Sequence, residues 1–255
     1  MVLPWAATAL ITVLSQTPAR STPPPQPPTV QTVAPSAAPE NPFTHLLPHL
    51  GRDLQALGTV ENGGIIAAGG IFALVFKNNN DARTHIWVLT QDPSSSLASA
   101  GNFIGNGSTQ GGAALVVWLA GYGAKNARVE TTGANLIRAQ LLNGLLTQGL
   151  KYAVRRDRPN GGTHSFPSGH TSATFATAAV IEHDYGVAAA LPVYALGGLV
   201  GWSRVRSNHH WLSDVAFGAA LGIVSGRAGS HDSPRAWIVT PVKTPGGAAL
   251  YVIRR

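Results

Sequence analysis

Three short blocks carry residues whose types and spacing could do chemistry: Lys151 with Arg158-Pro159, then Pro167-Ser168-Gly169-His170, then Ser203-Arg204 with His210 and Asp214. Lys151, Arg158 and Arg204 are cationic multi-donor side chains, which suit a dianionic oxyanion better than a neutral ligand. His170, His210 and Asp214 add groups able to move a proton or attack an electrophile. The spacing has a rationale if the flanks are helical. Lys151 and Arg158 are seven residues apart, so on one helix both would leave the same face and converge on one anion. His210 and Asp214 are four apart. On a helix the carboxylate would then accept the Nδ1 proton of His210 and leave Nε2 free to attack.

Pro167-Ser168-Gly169-His170 precedes a long uncharged stretch from Thr171. Ser168 therefore reads as an N-cap, and the unpaired amides behind it would bind an anion. Gly169 would let the backbone come close to the ligand, since no Cβ intervenes. Each block alone is equally consistent with something plainer: a solvated basic helix end, an ordinary capped turn, a structural histidine–carboxylate pair. Their occurrence together, with residue types that serve one reaction, favours a phosphate-handling site.

The pattern Lys-x6-Arg-Pro, Pro-Ser-Gly-His, Ser-Arg-x5-His-x3-Asp resembles the signature of the type 2 phosphatidic acid phosphatase (PAP2) superfamily, which also holds bacterial class A acid phosphatases, glucose-6-phosphatase and the vanadium haloperoxidases. The resemblance runs from Leu136 to Gly226. It implies that Lys151, Arg158 and Arg204 clamp the phosphoryl oxygens with Ser168 and the Gly169 amide, and that His210 is the nucleophile. It further implies that Asp214 steadies the imidazole and that His170 protonates the leaving alkoxide, through a phosphohistidine intermediate and with no metal or other cofactor. The implied activity is that of a phosphoric-ester hydrolase acting on a lipid phosphate, a prenyl pyrophosphate or a small monoester. Two alternatives stand beside it: a vanadium-dependent haloperoxidase, and a domain that binds phosphate without turnover. One departure is the short link Asn160 to Phe166, which leaves little room for a substrate-recognition insertion.

Composition narrows the partners. With 18 Lys+Arg against 11 Asp+Glu the chain carries +7, which favours phosphate esters or anionic lipid headgroups. No nucleic-acid-binding motif occurs, and the aromatic residues do not alternate with basic ones. The absence of cysteine excludes disulfides, thiolate catalysis and Cys-ligated zinc. His164, His183 and His209 lie near the motifs without a repeated metal-ligand spacing. Ala6 to Leu14 is a short apolar run followed by small residues through Ala19, as in an export signal, although no Lys or Arg precedes it. Nine of the 18 prolines fall between Pro18 and Pro42, the composition of an extended linker.

These observations predict a signal peptide or N-terminal anchor over 1–19, a Pro-rich linker over 20–42, a phosphatase domain over 43–232 and a C-terminal tail over 233–255. The expected fold is all-α, a compact multi-helix bundle with a small C-terminal β-hairpin around Thr244-Pro245-Gly246-Gly247. Apolar periodicity predicts helices over 42–57, 65–76, 113–124, 128–154, 171–182, 187–203 and 211–227. Val187 to Trp202 is uncharged but 16 residues long, and Ile65 to Phe76 is shorter, whereas a span takes about 20 apolar residues. With a mean hydropathy of +0.10, the chain is expected to be an exported, periplasmic domain in peripheral rather than integral contact with a membrane.

Overall fold

A computed structural model describes residues 46–91, 95–233, 237–244 and 247–254. The expected export signal (1–19) and linker (20–42) lie outside the described residues. One compact unit spans Pro39–Ala236 and contains helices α1 (Leu46–Ala56), α2 (Val60–Asn79), α3 (Asp81–Leu89), α4 (Ser96–Ile104), α5 (Gly107–Gly123), α6 (Ala127–Val154), α7 (Gly169–Tyr185), α8 (Val187–Arg206) and α9 (Leu212–Gly229). In a separate unit, β1 (Trp237–Thr244) and β2 (Gly247–Arg254) pair antiparallel, with Thr244 opposite Gly247 and Trp237 opposite Arg254.

Helix α7 is the hub, packed by α6, α8 and α9. Its seam with α9 depends on glycine: Gly218, Gly222 and Gly226 recur every fourth residue and abut Ser168, Ser172 and Ala176. A Cβ at Gly218 would stand 2.7 Å from the Ser168 carbonyl oxygen, so any side chain there would force apart the two helices whose N-terminal ends frame the site. Small residues fill the rest of the core, with Ala139, Ala176, Ala178 and Ala190 fully buried beside Leu142, Val180 and Val200. Close backbone approach leaves little slack for side chains to shift.

Helix ends follow local chemistry. The side chain of Asn126 accepts from the Val129 amide and caps α6, and Arg155 ends that helix in the left-handed region at φ 50°, ψ 36°. Thr59 caps α2 in the same way, through the Asn62 amide. Two short helices, α3 and α4, were not indicated by periodicity, because nine residues each is too brief for a repeat to emerge. The Ile65 to Phe76 run is the middle of a longer helix. At 20 residues α2 is long and apolar enough, by length and composition, to cross a membrane, and little of it is buried. The length criterion that argued against a span therefore does not hold for α2. Ile71, Phe72 and Leu74 on α2, Ile86 and Leu89 on α3, and Val116, Leu119 and Tyr122 on α5 all present their side chains to the outside.

Candidate active site

A cavity of about 440 Å³ lies between α6, α7 and α8, and its lining includes Lys151, Arg158, Gly169, His170, Arg204 and His210. Six of the eight residues singled out from the sequence thus meet at one place. Lys151 projects from the last turn of α6. Its ammonium donates to the carbonyls of His164 (2.6 Å) and Ser165 (3.4 Å). Arg158 is not on that helix, contrary to the expectation of a shared face. The left-handed Arg155 ends α6, and the following Pro159 disfavours helical geometry at Arg158 in any case. The loop returns Arg158 to the cavity instead, where its Nε donates to Thr163 O at 2.9 Å.

Arg204 comes from the end of α8, and its Nη1 donates to Asn102 Oδ1 of α4 at 2.7 Å. Its Nε is buried without a partner among the described residues, a donor left over for an incoming anion. Beyond α8, Asn208 takes a left-handed conformation at φ 57°, which Asn tolerates better than most residues. That turn folds the chain back so that the amides of His209 and His210 both donate to the Arg204 carbonyl, at 3.1 and 3.2 Å. His210 is accordingly anchored by a turn and precedes α9 rather than lying on it. Asp214 sits in the first turn of α9, where its Oδ2 accepts the Trp211 amide at 3.0 Å. The expected one-face pair is therefore built from a turn and a helix start. His210 Nδ1 stands 3.6 Å from Asp214 Oδ2, longer than a hydrogen bond.

Ser168 precedes α7 as expected, but its hydroxyl meets Thr171 Oγ1 at 3.0 Å instead of capping an amide. It is fully buried and does not border the cavity, while Gly169 and His170 do. The first amides of α7 thus have no side-chain cap, and its first two residues, Gly169 and His170, stand at the cavity wall. His209 is part-buried beside His210, with Nδ1 unpartnered among the described residues.

The electrostatics follow from burial and crowded positive charge. Burial lowers His210 to about 4, with Lys151 and Arg204 pulling in the same direction and Asp214 opposing. His170 is lowered to about 3 by burial, then by Arg204, His210, His209 and Lys151. Both imidazoles are neutral at pH 7. Lys151 is lowered to about 8 by burial and by Arg158, and Arg204 to about 10, chiefly by burial, so both remain cationic at neutral pH. Asp214 lies below the ordinary carboxylate range: burial pushes it up, but His210, Ser165, Arg156 and the Trp211 amide together outweigh that. The cavity is a pre-formed cationic cage with two neutral imidazoles in its wall, suited to receive a tetrahedral oxyanion and to attack it.

Several contributors were not among the residues expected from sequence. Ser165 Oγ donates to Asp214 Oδ2 at 2.5 Å, and Arg156 Nη1 to Asp214 Oδ1 at 2.6 Å. Asp81 of α3 and Asn102 of α4 reach the site from helices that lacked a periodic signal. Arg156 was visible only as one more charge in a basic run. Gln140, Asn143 and Thr147 line the cavity from α6, giving it a polar uncharged wall beside the cations. Away from the cavity, Asp53, His231 and Asp232 bring potential metal-ligand atoms together. There Arg138 already grips Asp53 through both Nε and Nη2, and Asp232 through Nη2, so a guanidinium already pairs with both carboxylates.

Residues 132–238 match the family model described as the PAP2 superfamily. Every cavity-lining motif residue falls inside the matched segment. The lipid A 1-phosphatase of Porphyromonas gingivalis is 40% identical to this chain over 93 residues, 35% of this chain and 21% of that relative. The match thus spans about a fifth of the curated relative's length. Among solved structures, LpxE of Aquifex aeolicus shares 21% identity at a TM-score of 0.42, covering 62% of this chain and 92% of that one. A transmembrane PAP2-type phosphatidylglycerolphosphate phosphatase from Bacillus subtilis shares 19% identity at a TM-score of 0.48, covering 75% and 94%.

Proposed function

We propose that this protein is a metal-independent phosphatase that hydrolyses a lipid phosphate ester through a phosphohistidine intermediate. The observation that carries the reading is the convergence of Lys151, Arg158, Arg204, His170 and His210 on one cavity, with Asp214 behind His210. The cations and the Gly169 amide hold the phosphoryl oxygens, with Ser168 shaping the turn that presents that amide. Neutral Nε2 of His210 attacks phosphorus and the ester P–O bond breaks. The departing alkoxide takes a proton from His170, and Asp214 stabilises the positive charge that develops on His210. Water then attacks phosphorus as the P–N bond breaks, giving a proton to His170, freeing neutral His210 and releasing inorganic phosphate. His170 needs a proton that its burial and the neighbouring cations Arg204 and Lys151 disfavour. A bound dianion offsets the charges of Arg204 and Lys151, and so raises the proton affinity of His170 when the acid is required. Three cations and a helix N-terminus supply the charge stabilisation that magnesium provides in other phosphoryl-transfer sites.

A lipid substrate fits the surface around the site. The outward Ile, Leu, Phe and Val side chains of α2, α3 and α5 are exposed apolar groups, and apolar surface of that kind marks membrane contact where it is extensive. The family relative acts on lipid A, by its name. An exported, membrane-attached domain over 43–232 accounts for those side chains and for the apolar run Ala6 to Leu14. The test is release of inorganic phosphate by the full chain in mixed detergent micelles, from a panel of lipid phosphates, a prenyl pyrophosphate and soluble monoesters, with vanadate as competitor and with chelator present. Turnover of a lipid phosphate, blocked by vanadate and insensitive to chelator, is expected. No hydrolysis across the panel, or sustained bromination of a phenol by the vanadate-loaded protein, would overturn the assignment.

A further inference from the structure

We infer that Arg156 is a positioning residue which, by sharing its charge between Asp214 and Asp81, sets how strongly Asp214 draws a proton onto His210. The inference rests on His210 being the nucleophile. Arg156 follows the left-handed Arg155 and turns away from the cavity, whose lining does not include it. Its Nη1 donates to Asp214 Oδ1 and to Ser213 Oγ, both at 2.6 Å, and its Nη2 donates to Asp81 Oδ2 at 2.8 Å. Asp81, buried on α3, also accepts from the Ser213 amide at 3.0 Å and the Ser213 hydroxyl at 2.6 Å. Two buried carboxylates are thereby tied to one guanidinium through a common serine, and the Trp211 ring lies 5.4 Å from Arg156 Cζ.

Both oxygens of Asp214 are engaged on this side: Oδ1 by Arg156, Oδ2 by Ser165 and the Trp211 amide. That leaves Oδ2 facing His210 Nδ1 in a fixed orientation at 3.6 Å. The charge count explains why the arrangement matters. Asp81, Arg156 and Asp214 together carry a net −1, enough to balance the imidazolium that forms when His210 takes up phosphorus. Without Arg156 the same pocket would carry −2, and His210 would hold its proton in the resting state, when Nε2 has to be free. On the cavity side His210 is faced by Lys151 of α6, Arg158 of the following loop, His170 of α7 and Arg204 of α8, with His209 next to it in the chain. Of these, Lys151 and Arg204 disfavour its protonation, so the carboxylates behind are what balance it.

The experiment compares kcat/KM against pH for p-nitrophenyl phosphate in the wild type, Arg156→Gln, Asp81→Asn and the Arg156→Gln/Asp81→Asn double variant, with vanadate inhibition measured alongside. The ionisation of the ester is common to all four. Arg156→Gln is expected to move the acidic limb upward by about one pH unit from its wild-type position near 4 and to lower kcat/KM at pH 4 by about fivefold, with vanadate inhibition within about threefold. The double variant, again at net −1, is expected to bring the limb back toward the wild type. A merely structural role would produce neither the shift nor the rescue. Arg156→Gln with an unmoved limb, or a double variant no better than the single, overturns the inference. Should Arg156→Gln fail to bind vanadate, Asp81→Asn alone decides: its limb is expected to move downward, and an unmoved limb contradicts the proposal. His210→Ala, run in parallel, separates this from the parent reading, because undiminished turnover there would remove the nucleophile and leave Arg156 nothing to position.

Discussion

Near each end of α7 a histidine stands beside an aspartate, and the contrast between the two pairs shows what makes such a pair a site. At the C-terminal end His183 Nδ1 meets Asp184 Oδ1 at 2.7 Å, and Asn135 Nδ2 donates to both oxygens of Asp184 at 3.2 Å. At the N-terminal end His210 stands 3.6 Å from Asp214. The tighter pair is buried against α6 and borders neither described cavity, while the looser one has a cationic cavity in front of it. A short histidine–carboxylate distance is thus a packing feature, and reactivity comes from what lies on the far side of the ring. His183 has neighbours that fix it, and His210 has a cavity lined by Lys151, Arg158 and Arg204.

The sharpest way to break this comparison is to delete both rings. His210→Ala is expected to lower turnover by at least about a thousandfold while vanadate still binds, because the cage remains. His183→Ala is expected to lower the unfolding midpoint by several degrees, since it empties a buried polar position, and to leave kcat/KM within about threefold. Steady-state assays and thermal unfolding on both variants check the pair. A His183→Ala protein that folds normally but is inactive would reverse the roles of the two ends.

A second test asks whether the cavity in front of His210 recognises a phosphoryl group by shape as well as charge. Arg158→Lys keeps the cation and loses the planar fork. It is expected to cost about ten- to a hundredfold in kcat/KM and to erase the preference for vanadate over phosphate as inhibitor. A loss confined to KM, with vanadate preference intact, would reduce Arg158 to a point charge.

Much of this contrast could be read in the chain itself, and the part that could not has a definite cause. Residue type and order picked out Lys151, Arg158, His170, Arg204, His210 and Asp214, because phosphate chemistry restricts which side chains serve. Long helices α6, α8 and α9 were legible from apolar periodicity within a few residues of their ends. What failed was the assumption of continuous helix between motif residues. Arg155 and Asn208 adopt left-handed conformations, and these single-residue turns carry Arg158 and His210 off their expected helices and into the cavity. Periodicity has no means of registering one left-handed residue. Arg156, Asp81, Ser165 and Asn102 stayed hidden for another reason: their partners are distant in sequence, and nothing local in an Arg-rich run or a nine-residue helix tells which charge faces which.

His170 offers a finer discrimination. His170→Ala is expected to slow esters of poor, alkoxide-like leaving groups by about a hundredfold and esters of an acidic phenol by less than about tenfold, because only the former require a proton in the transition state. Equal losses on the two ester types would take the acid role from His170.

The smallest expected effect is in the alkaline limb. Lys151 is lowered to about 8 in the free protein, so its ammonium is present below that value and lost as pH rises through it. The kcat/KM profile is accordingly expected to fall above about pH 8. Lys151→Arg, which keeps its charge, is expected to carry the fall beyond pH 9 at reduced overall rate. A limb that stays near pH 8 in the variant would assign it to another group.

The central claim is that His210 becomes covalently phosphorylated, and rapid-quench trapping with a 32P-labelled substrate tests it most directly. The wild type is expected to show a transient label, stable to base and labile to acid, that maps to His210 and is missing from His210→Ala but present in His183→Ala. Absence of label from the wild type under single-turnover conditions at high enzyme concentration, with product forming in the same samples, would contradict the account, as would label of equal yield on His210→Ala.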